Sequence, residues 1–137
     1  MTPSPGSNNE SIFGPVIYRY TRKQAIDDGV LVDLTEWAAE TGFTIPVACT
    51  AAVWNQYVVP PGDTAELGQS ERGRGHDLLF MLYVAIRRQQ GAADRLLYEV
   101  IFVNDKHQQE TIQLKAICGP GDDGEAVLTI MLQIMES

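Results

Sequence analysis

The sequence has few basic residues and no long apolar run. Its 137 residues include 10 lysines and arginines against 18 aspartates and glutamates, so the net charge is −8. Because an acidic surface repels phosphate backbones, we expect no direct contact with nucleic acid. A membrane-spanning helix needs roughly 18 consecutive apolar residues. The longest apolar stretch, Leu78–Ile86, is half that length and runs into Arg87 and Arg88, so we expect no membrane span.

Cysteine is equally scarce, and the two cysteines do not form a motif. Cys49 and Cys118 lie far apart, in neither a CxxC nor a Cys/His-ligand spacing. The N-terminus shows no apolar signal segment. A chain of this size buries roughly two-thirds of the surface that its unfolded form exposes, so it needs neither a disulfide nor a metal to fold. We therefore expect a cytoplasmic protein with reduced thiols, no metal and no cofactor.

The length and the 45% hydrophobic content are typical of a single domain with one core. Residues 1–14 are rich in Pro, Ser, Asn and Gly, which predicts a flexible N-terminal arm. Residues 15–137 are then predicted to form one globular domain. Within it, residues 60–75 consist mainly of Gly, Ser, Glu, Arg and Gln, which predicts a mobile loop.

The N-terminal half alternates short strands and short helices. Thr21 stands where a helix N-cap would, and Gly29 stands where that helix would end. The segment Val47–Val59 fits either a strand or a helix capped near Thr50, and we favour the helix. The other predicted elements are strands at Val16–Tyr20 and Val30–Asp33 and helices at Arg22–Asp28 and Leu34–Gly42.

The C-terminal half predicts one long helix and an antiparallel sheet. In His76–Gln90, apolar residues recur at three- and four-residue spacing, as in a helix that packs on a core. The turn Gly119–Glu125 contains three glycines and a proline and is typical of a hairpin. The predicted fold class is α+β, with the helix at about residues 76–90 packed on a C-terminal three-stranded antiparallel meander. The meander strands are Arg95–Val103, Thr111–Cys118 and Ala126–Ile134.

The acidic turn is the first candidate binding site. Asp122, Asp123 and Glu125 can hold a divalent cation through carboxylate oxygens, but their spacing is not that of an EF-hand loop. We favour a polar turn whose side chains bond local amides, and we predict no metal site. As a binding site, the turn is expected to serve a protein partner.

A second candidate site combines aromatic and basic side chains. Trp54 shares the N-terminal half with a second tryptophan, several tyrosines, Arg19 and Arg22. Aromatics with arginines can line a nucleotide or peptide pocket, although in a small domain they more often form a second layer of core. The remaining arginines, including Arg72 and Arg74, are interpreted as solvated surface residues.

The sequence does not identify catalytic residues. A Cys49/His76 dyad is the sharpest hydrolase hypothesis, but no motif flanks either residue, and a cysteine at the end of an apolar run is more often core. Gly73 and Gly75 precede the predicted helix, as in anion-binding loops, yet neither a Walker motif nor a GxGxxG is present. This lack of catalytic motifs favours a protein that is not an enzyme.

Four blocks of the sequence resemble a family of short bacterial proteins of unknown function. They are residues 17–33, Phe43–Trp54, His76–Ile86 and Leu114–Leu132, and together they cover most of residues 16–134. Members of that family are encoded largely on conjugative plasmids, integrated elements and related mobile DNA. The resemblance implies a mobile-element setting, in which small acidic proteins often act against host defence or in plasmid maintenance. It implies no activity for individual residues.

Three functional hypotheses are compatible with these observations. The first, which we favour, is a non-enzymatic interaction protein whose acidic surface engages a basic host or plasmid protein, for example by imitating nucleic acid. The second is a nucleotide-handling enzyme such as an ADP-ribosyltransferase-like domain, with a cleft lined by Arg19, Thr50, Trp54 and Glu99. The third is a homodimer with a structural or regulatory role, which would expose an apolar patch on the open face of the sheet.

Overall fold

In a computed structural model, the chain folds into a five-stranded mixed sheet with helices packed against it. The structure describes residues 20–62, 68–91 and 93–133. The predicted arm at residues 1–14 and most of the strand predicted at Val16–Tyr20 lie outside these ranges. The elements are α1 (Arg22–Asp27), β1 (Leu31–Asp33), α2 (Thr35–Thr41), β2 (Val47–Thr50), α3 (Ala51–Val53, continued as a π-helix by Trp54–Val58), α4 (Glu71–Arg88), β3 (Arg95–Val103), β4 (Gln109–Pro120) and β5 (Ala126–Leu132).

The sheet has the strand order β1-β2-β5-β4-β3. Strands β3, β4 and β5 pair antiparallel, so the predicted C-terminal meander is confirmed. Strand β2 pairs parallel to β5, with Cys49 opposite Ile130, and β1 pairs antiparallel to β2. The two halves of the chain therefore share one sheet.

The segment Val47–Val59 contains both of the structures considered for it. The favoured helix begins at Ala51, directly after its predicted cap, and the residues before it, Val47–Thr50, form a strand. The first three residues of this strand are completely buried in the interior of the sheet, as is typical of a continuous apolar run covered on both faces. The cap prediction is confirmed, because the Thr50 hydroxyl accepts a hydrogen bond from the Val53 N–H at 3.3 Å.

Helix α4 packs on the sheet as predicted, but it begins five residues before the predicted start. Ser70 is its N-cap, and the Ser70 hydroxyl accepts a hydrogen bond from the Gly73 N–H at 3.0 Å. Residues 71–75, which the sequence assigns to a loop, are therefore helical. The α+β class, with one central helix on a three-stranded meander, is confirmed. Mobility of the remaining loop stays a prediction.

The turn between β4 and β5 is a tight hairpin. The Gly121 N–H donates to the Glu125 carbonyl at 2.6 Å. Gly124 has a φ of +83°, a left-handed conformation that glycine adopts without steric cost. Gly121 lies outside that region, and a Cβ there would lie 2.6 Å from the Glu125 carboxyl group, which is the end of a flexible side chain and can move. Gly124 is therefore the glycine that the turn conformation requires.

The core lies between the sheet and α4 and is closed by residues from α2 and α3. Leu78, Leu79 and Leu82 of α4 face Leu114 and Ile130 of the sheet, and all five side chains are completely buried. Burial of such side chains is the main favourable contribution to folding, at roughly 1.5–3 kcal/mol each. Along the described ranges of the chain, no helix has both the length and the apolar character needed to cross a membrane.

Candidate functional site

The structure separates the predicted site residues into two groups. Arg22, Asp122 and Glu125 come together where the β4–β5 turn meets the start of α1. Trp54 lies elsewhere, on the π-helical continuation of α3. Arg19 lies outside the described residues.

Asp122 closes the N-terminal end of α1. Its two carboxylate oxygens accept hydrogen bonds from the backbone N–H groups of Arg22 and Lys23, at 2.8 and 3.0 Å. These amides have no partner within the helix, so a carboxylate from outside satisfies them and interacts favourably with the helix dipole. The Thr21 hydroxyl completes the cap by accepting from the Gln24 N–H. Asp122 therefore joins the last hairpin to the first described helix.

Replacement of Asp122 by alanine is expected to lower the free energy of unfolding by about 1–2 kcal/mol, because two helix N–H groups lose their acceptor. Asp123 is the matched control, since it is the neighbouring exposed carboxylate and its own side chain bonds neither amide. We expect Asp123→Ala to change stability by less than about 0.5 kcal/mol. Urea denaturation of both variants measures the difference. Equal losses in the two variants would contradict the capping role.

The Arg22 side chain is held against the sheet. Its guanidinium donates to the Thr129 hydroxyl at 2.7 Å and to the Leu128 carbonyl at 2.8 Å. Burial lowers the pKa of Arg22, and the negative charges of Asp33, Asp122 and Glu125 oppose that shift. The side chain remains charged, because an arginine pKa starts far above neutral pH. It thus anchors α1 and partly neutralises the carboxylates around it.

The acidic turn bonds its own backbone, in keeping with the interpretation of a polar turn. The Glu125 carboxylate accepts from the Asp123 N–H at 3.0 Å. In the part of the chain that the structure describes, no three His, Cys, Asp or Glu side chains cluster as a metal site would require. A binding role for Asp122, Asp123 and Glu125 stays a prediction.

Trp54 lines a pocket that contains the only two tryptophans of the chain. The rings of Trp37 and Trp54 stack, with centroids 5.9 Å apart and planes inclined by 30°. Asp33, Glu36 and Leu34 complete the lining of a cavity of about 340 Å³. We call this cavity the tryptophan pocket. Its lining combines two acidic residues with two tryptophans.

Each part of the tryptophan pocket is positioned by a different element. Asp33 ends β1, and its carboxylate accepts from the Thr35 N–H at 3.0 Å, which starts α2. Glu36 and Trp37 lie in the first turn of α2, and Trp54 begins the π-helix after α3. The Arg72 guanidinium lies over the Trp37 ring, 5.6 Å from its centroid. Arg72 also pairs with Glu40.

The catalytic alternatives are placed apart by the fold. Cys49 is completely buried on β2, and burial raises the pKa of its thiol to about 12, so it stays protonated. His76 is exposed on α4 and stacks on Phe80. Trp54 and Glu99, which the cleft hypothesis brings together, line two different cavities.

The glycines before the predicted helix do not form an anion-binding loop. Gly73 and Gly75 lie inside α4. Gly75 is buried because the Trp37 ring packs directly on its Cα, so that a Cβ there would lie 2.4 Å from the ring. The prediction that these glycines form a loop is therefore wrong, and the reason is a close helix-to-ring contact.

The prediction that Arg74 is a surface residue is also wrong. Its side chain is buried, with 2% of its surface exposed. The guanidinium donates to the Tyr57 carbonyl at 2.5 Å and to the Val103 carbonyl at 3.0 Å. It also lies 4.6 Å from the centroid of the Phe102 ring. One sequence signal points to this role: Arg74 precedes Leu78 by four residues and therefore lies on the buried face of the helix.

Comparison with known families gives one match. A model for a family of unknown function, DUF6573, matches residues 7–135. A comparison with curated proteins and one with solved structures each gave no significant match. Because the family match spans nearly the whole sequence, the chain belongs to this family of unknown function.

Proposed function

We propose that the protein is a non-enzymatic interaction module whose acidic surface binds a basic host or plasmid protein. The observation that carries the proposal is the tryptophan pocket, in which Asp33 and Glu36 lie beside the stacked rings of Trp37 and Trp54. A lysine or arginine side chain suits such a pocket, because its charge is attracted both to carboxylates and to the faces of indole rings. Arg72 already makes both kinds of contact, with Glu40 and with Trp37.

The surroundings of the pocket support a basic partner. Asp33 belongs both to the pocket and to the group of carboxylates around Arg22. This group continues along α1 and the β4–β5 turn, so the surface is strongly negative despite two basic residues. We call it the acidic surface; its carboxylates are Asp27, Asp28, Asp33, Glu36, Asp122, Asp123 and Glu125, and its basic residues are Arg22 and Lys23.

The setting that we propose is the bacterial cytoplasm and a mobile genetic element. The support is the resemblance of the four sequence blocks to proteins encoded on conjugative plasmids. A small acidic protein in that setting would bind a basic protein of host defence or of the plasmid's own maintenance. Electrostatic attraction would then speed association and would weaken as salt is added.

The first test is affinity capture from a bacterial lysate, followed by titration with the basic protein that is captured. Both tryptophans line the pocket, so intrinsic fluorescence reports its occupation directly. We expect a fluorescence change that saturates and a Kd that rises steeply with salt.

A pair of matched variants assigns the binding to the acidic surface. The triple variant Asp27→Asn/Glu36→Gln/Asp123→Asn removes three charges from this surface, and it spares Asp33 and Asp122 because their carboxylates accept from the first amides of helices. The control Glu71→Gln/Asp94→Asn/Asp105→Asn removes three charges elsewhere. We expect at least a tenfold rise in Kd for the first variant and less than a threefold rise for the control. Equal effects, or capture of no basic protein, would contradict the proposal.

A further inference from the structure

Strand β3 is one of the two edge strands of the sheet. It has nine residues, and within the described part of the chain it pairs only with β4. The pairing runs without a bulge from Arg95 opposite Ile117 to Val103 opposite Gln109. The other edge strand, β1, has only three residues. Long, regular edge strands invite pairing with another chain, and natural proteins usually shorten, bulge or cover them.

The hydrogen bonds to β4 show which backbone groups of β3 face outward. The Cys118 N–H donates to the Asp94 carbonyl, and beyond the strand the Asn104 N–H donates to the Gln108 carbonyl. In an antiparallel ladder such bonded pairs recur every second residue. The even-numbered residues of β3 therefore bond to β4, and the odd-numbered residues direct their N–H and C=O groups to the open edge. The outward residues with no such bond elsewhere in the described chain are Arg95, Leu97, Glu99 and Ile101, whereas the Val103 carbonyl already accepts from Arg74.

The same edge exposes apolar side chains. Leu97 and Ile101 are each 56% exposed, and Phe80 and Met81 on the neighbouring face of α4 are 46% and 39% exposed. These four residues line a groove of about 670 Å³ between α4 and β3. A contiguous apolar patch beside an open strand edge marks an interaction surface.

We propose that the occupant is a second copy of this chain, with the two β3 strands paired antiparallel and Leu97 on the two-fold axis. This register places Leu97 opposite Leu97 of the second copy. It also places Arg95 opposite Glu99 of the second copy, and the symmetry repeats that pair. All of these residues direct backbone groups outward, so the strands form a regular ladder with opposite charges facing each other.

The alternative registers lack this complementarity. Centring the axis on Glu99 sets two carboxylates opposite each other, which is destabilising. An axis midway between the two registers sets Arg95 opposite Ile101 of the second copy and Leu97 opposite Glu99. In the Leu97 register, by contrast, the side chains on the helix-facing side also match, because Leu96 lies opposite Tyr98 of the second copy.

The dimer leaves the acidic surface free. Asp33 and the tryptophan pocket lie beside β1, at the opposite edge of the sheet from β3. A dimer would therefore present two pockets on its outer ends, and a partner with two basic sites would bind more tightly through the effective concentration of the second site. The dimer does not depend on the proposed function, since it uses different residues.

The charge pair is tested by reversal, with sedimentation equilibrium as the measurement. The full chain is expected to be a dimer at micromolar concentrations. Arg95→Glu and Glu99→Arg are each expected to raise the dissociation constant at least tenfold. The double variant is expected to recover to within about threefold of the original value, because the reversed charges again face each other. A monomeric wild-type chain at 100-fold higher concentration, about 0.1 mM, or a double variant no better than the single ones, would overturn the proposal.

The register is tested by disulfide formation at the axis. In a bonded antiparallel pair the two Cα atoms lie about 5.5 Å apart, within disulfide range. Leu97→Cys is therefore expected to form a covalent dimer under mild oxidation, in a Cys118→Ala background. Glu99→Cys is the control, because its two copies are offset along the strands by roughly 13 Å and cannot join. Cross-linking through Glu99→Cys but not Leu97→Cys would overturn the register, and so would no cross-linking at either position.

Discussion

Replacement of Arg74 by methionine is expected to lower the free energy of unfolding by about 3 kcal/mol, although methionine fills a similar volume. The guanidinium donates to two backbone carbonyls, those of Tyr57 and Val103, and to the Gln69 side chain at 2.9 Å. These three groups belong to the end of the π-helix, the end of β3 and the segment before α4. Without Arg74, buried acceptors would lose their donor, which costs more than the bond itself contributes.

Two further variants isolate the contribution of the guanidinium. Arg72→Met removes a neighbouring exposed arginine, whose ion pair with Glu40 is at the surface, and we expect a loss of less than about 1 kcal/mol. Arg74→Lys keeps the charge but loses the planar fork, so its stability should lie between those of wild type and Arg74→Met. Guanidinium chloride denaturation measures all three. A loss for Arg74→Met no larger than that for Arg72→Met would show that the buried bonds are not stabilising.

Replacement of Gly75 by alanine is expected to destabilise the protein by about 2–3 kcal/mol, against the usual trend for helices. Alanine in a helix interior normally stabilises by about 1 kcal/mol relative to glycine. At this position, however, the new Cβ would lie 2.4 Å and 2.6 Å from two carbons of the Trp37 ring. The ring or the helix must therefore move, and the cost of that movement exceeds the gain in helix propensity.

If the ring contact is the cause, the effect of Gly75→Ala on stability should change sign once the Trp37 ring is removed. In a Trp37→Leu background the clashing atoms are gone, so Gly75→Ala should become neutral or stabilising by up to about 1 kcal/mol. Thermal and urea denaturation of the two single variants and the double variant measure the coupling. If Gly75→Ala destabilised both backgrounds equally, the contact with Trp37 would not be the reason that glycine occupies this position.

Arg74 and Gly75 together connect the first turns of α4 to the rest of the molecule. Arg74 connects them to β3 and the π-helix, and Gly75 connects them to α2 through Trp37. Helix α4 therefore supports the tryptophan pocket, because Gly75 packs against Trp37. A Gly75→Ala variant that remains folded should also bind the basic partner more weakly, because its tryptophan is displaced.

Several features of the fold could be predicted because they depend on neighbouring residues. The helix cap at Thr21, the stop at Gly29 and the tight turn at Gly124 rest on hydrogen bonds or backbone angles within a few positions. The three-stranded meander has the same origin, since its strands are joined by short connections. Periodicity likewise revealed the apolar face of α4 from Leu78 onward.

Other features could not be predicted, because their partners are far away in the chain. Val47–Thr50 forms a strand by pairing parallel to β5, and no pattern in the sequence around it predicts this pairing. The first turns of α4 are predicted from the sequence as a loop, because glycine and arginine are abundant there. Their helical structure depends on the Trp37 ring and on carbonyl groups of Tyr57 and Val103.

The candidate sites divide in the same way. From the sequence alone, the Asp122 turn could be recognised as an acidic hairpin and Trp54 as part of an aromatic group. Only the tertiary structure decided that Asp122 caps α1, that Trp54 stacks on Trp37 beside Asp33 and that β3 is an edge strand among the described residues. The physical reason is that caps, turns and periodicity are local, whereas burial, stacking and strand order are set by contacts between distant parts of the chain.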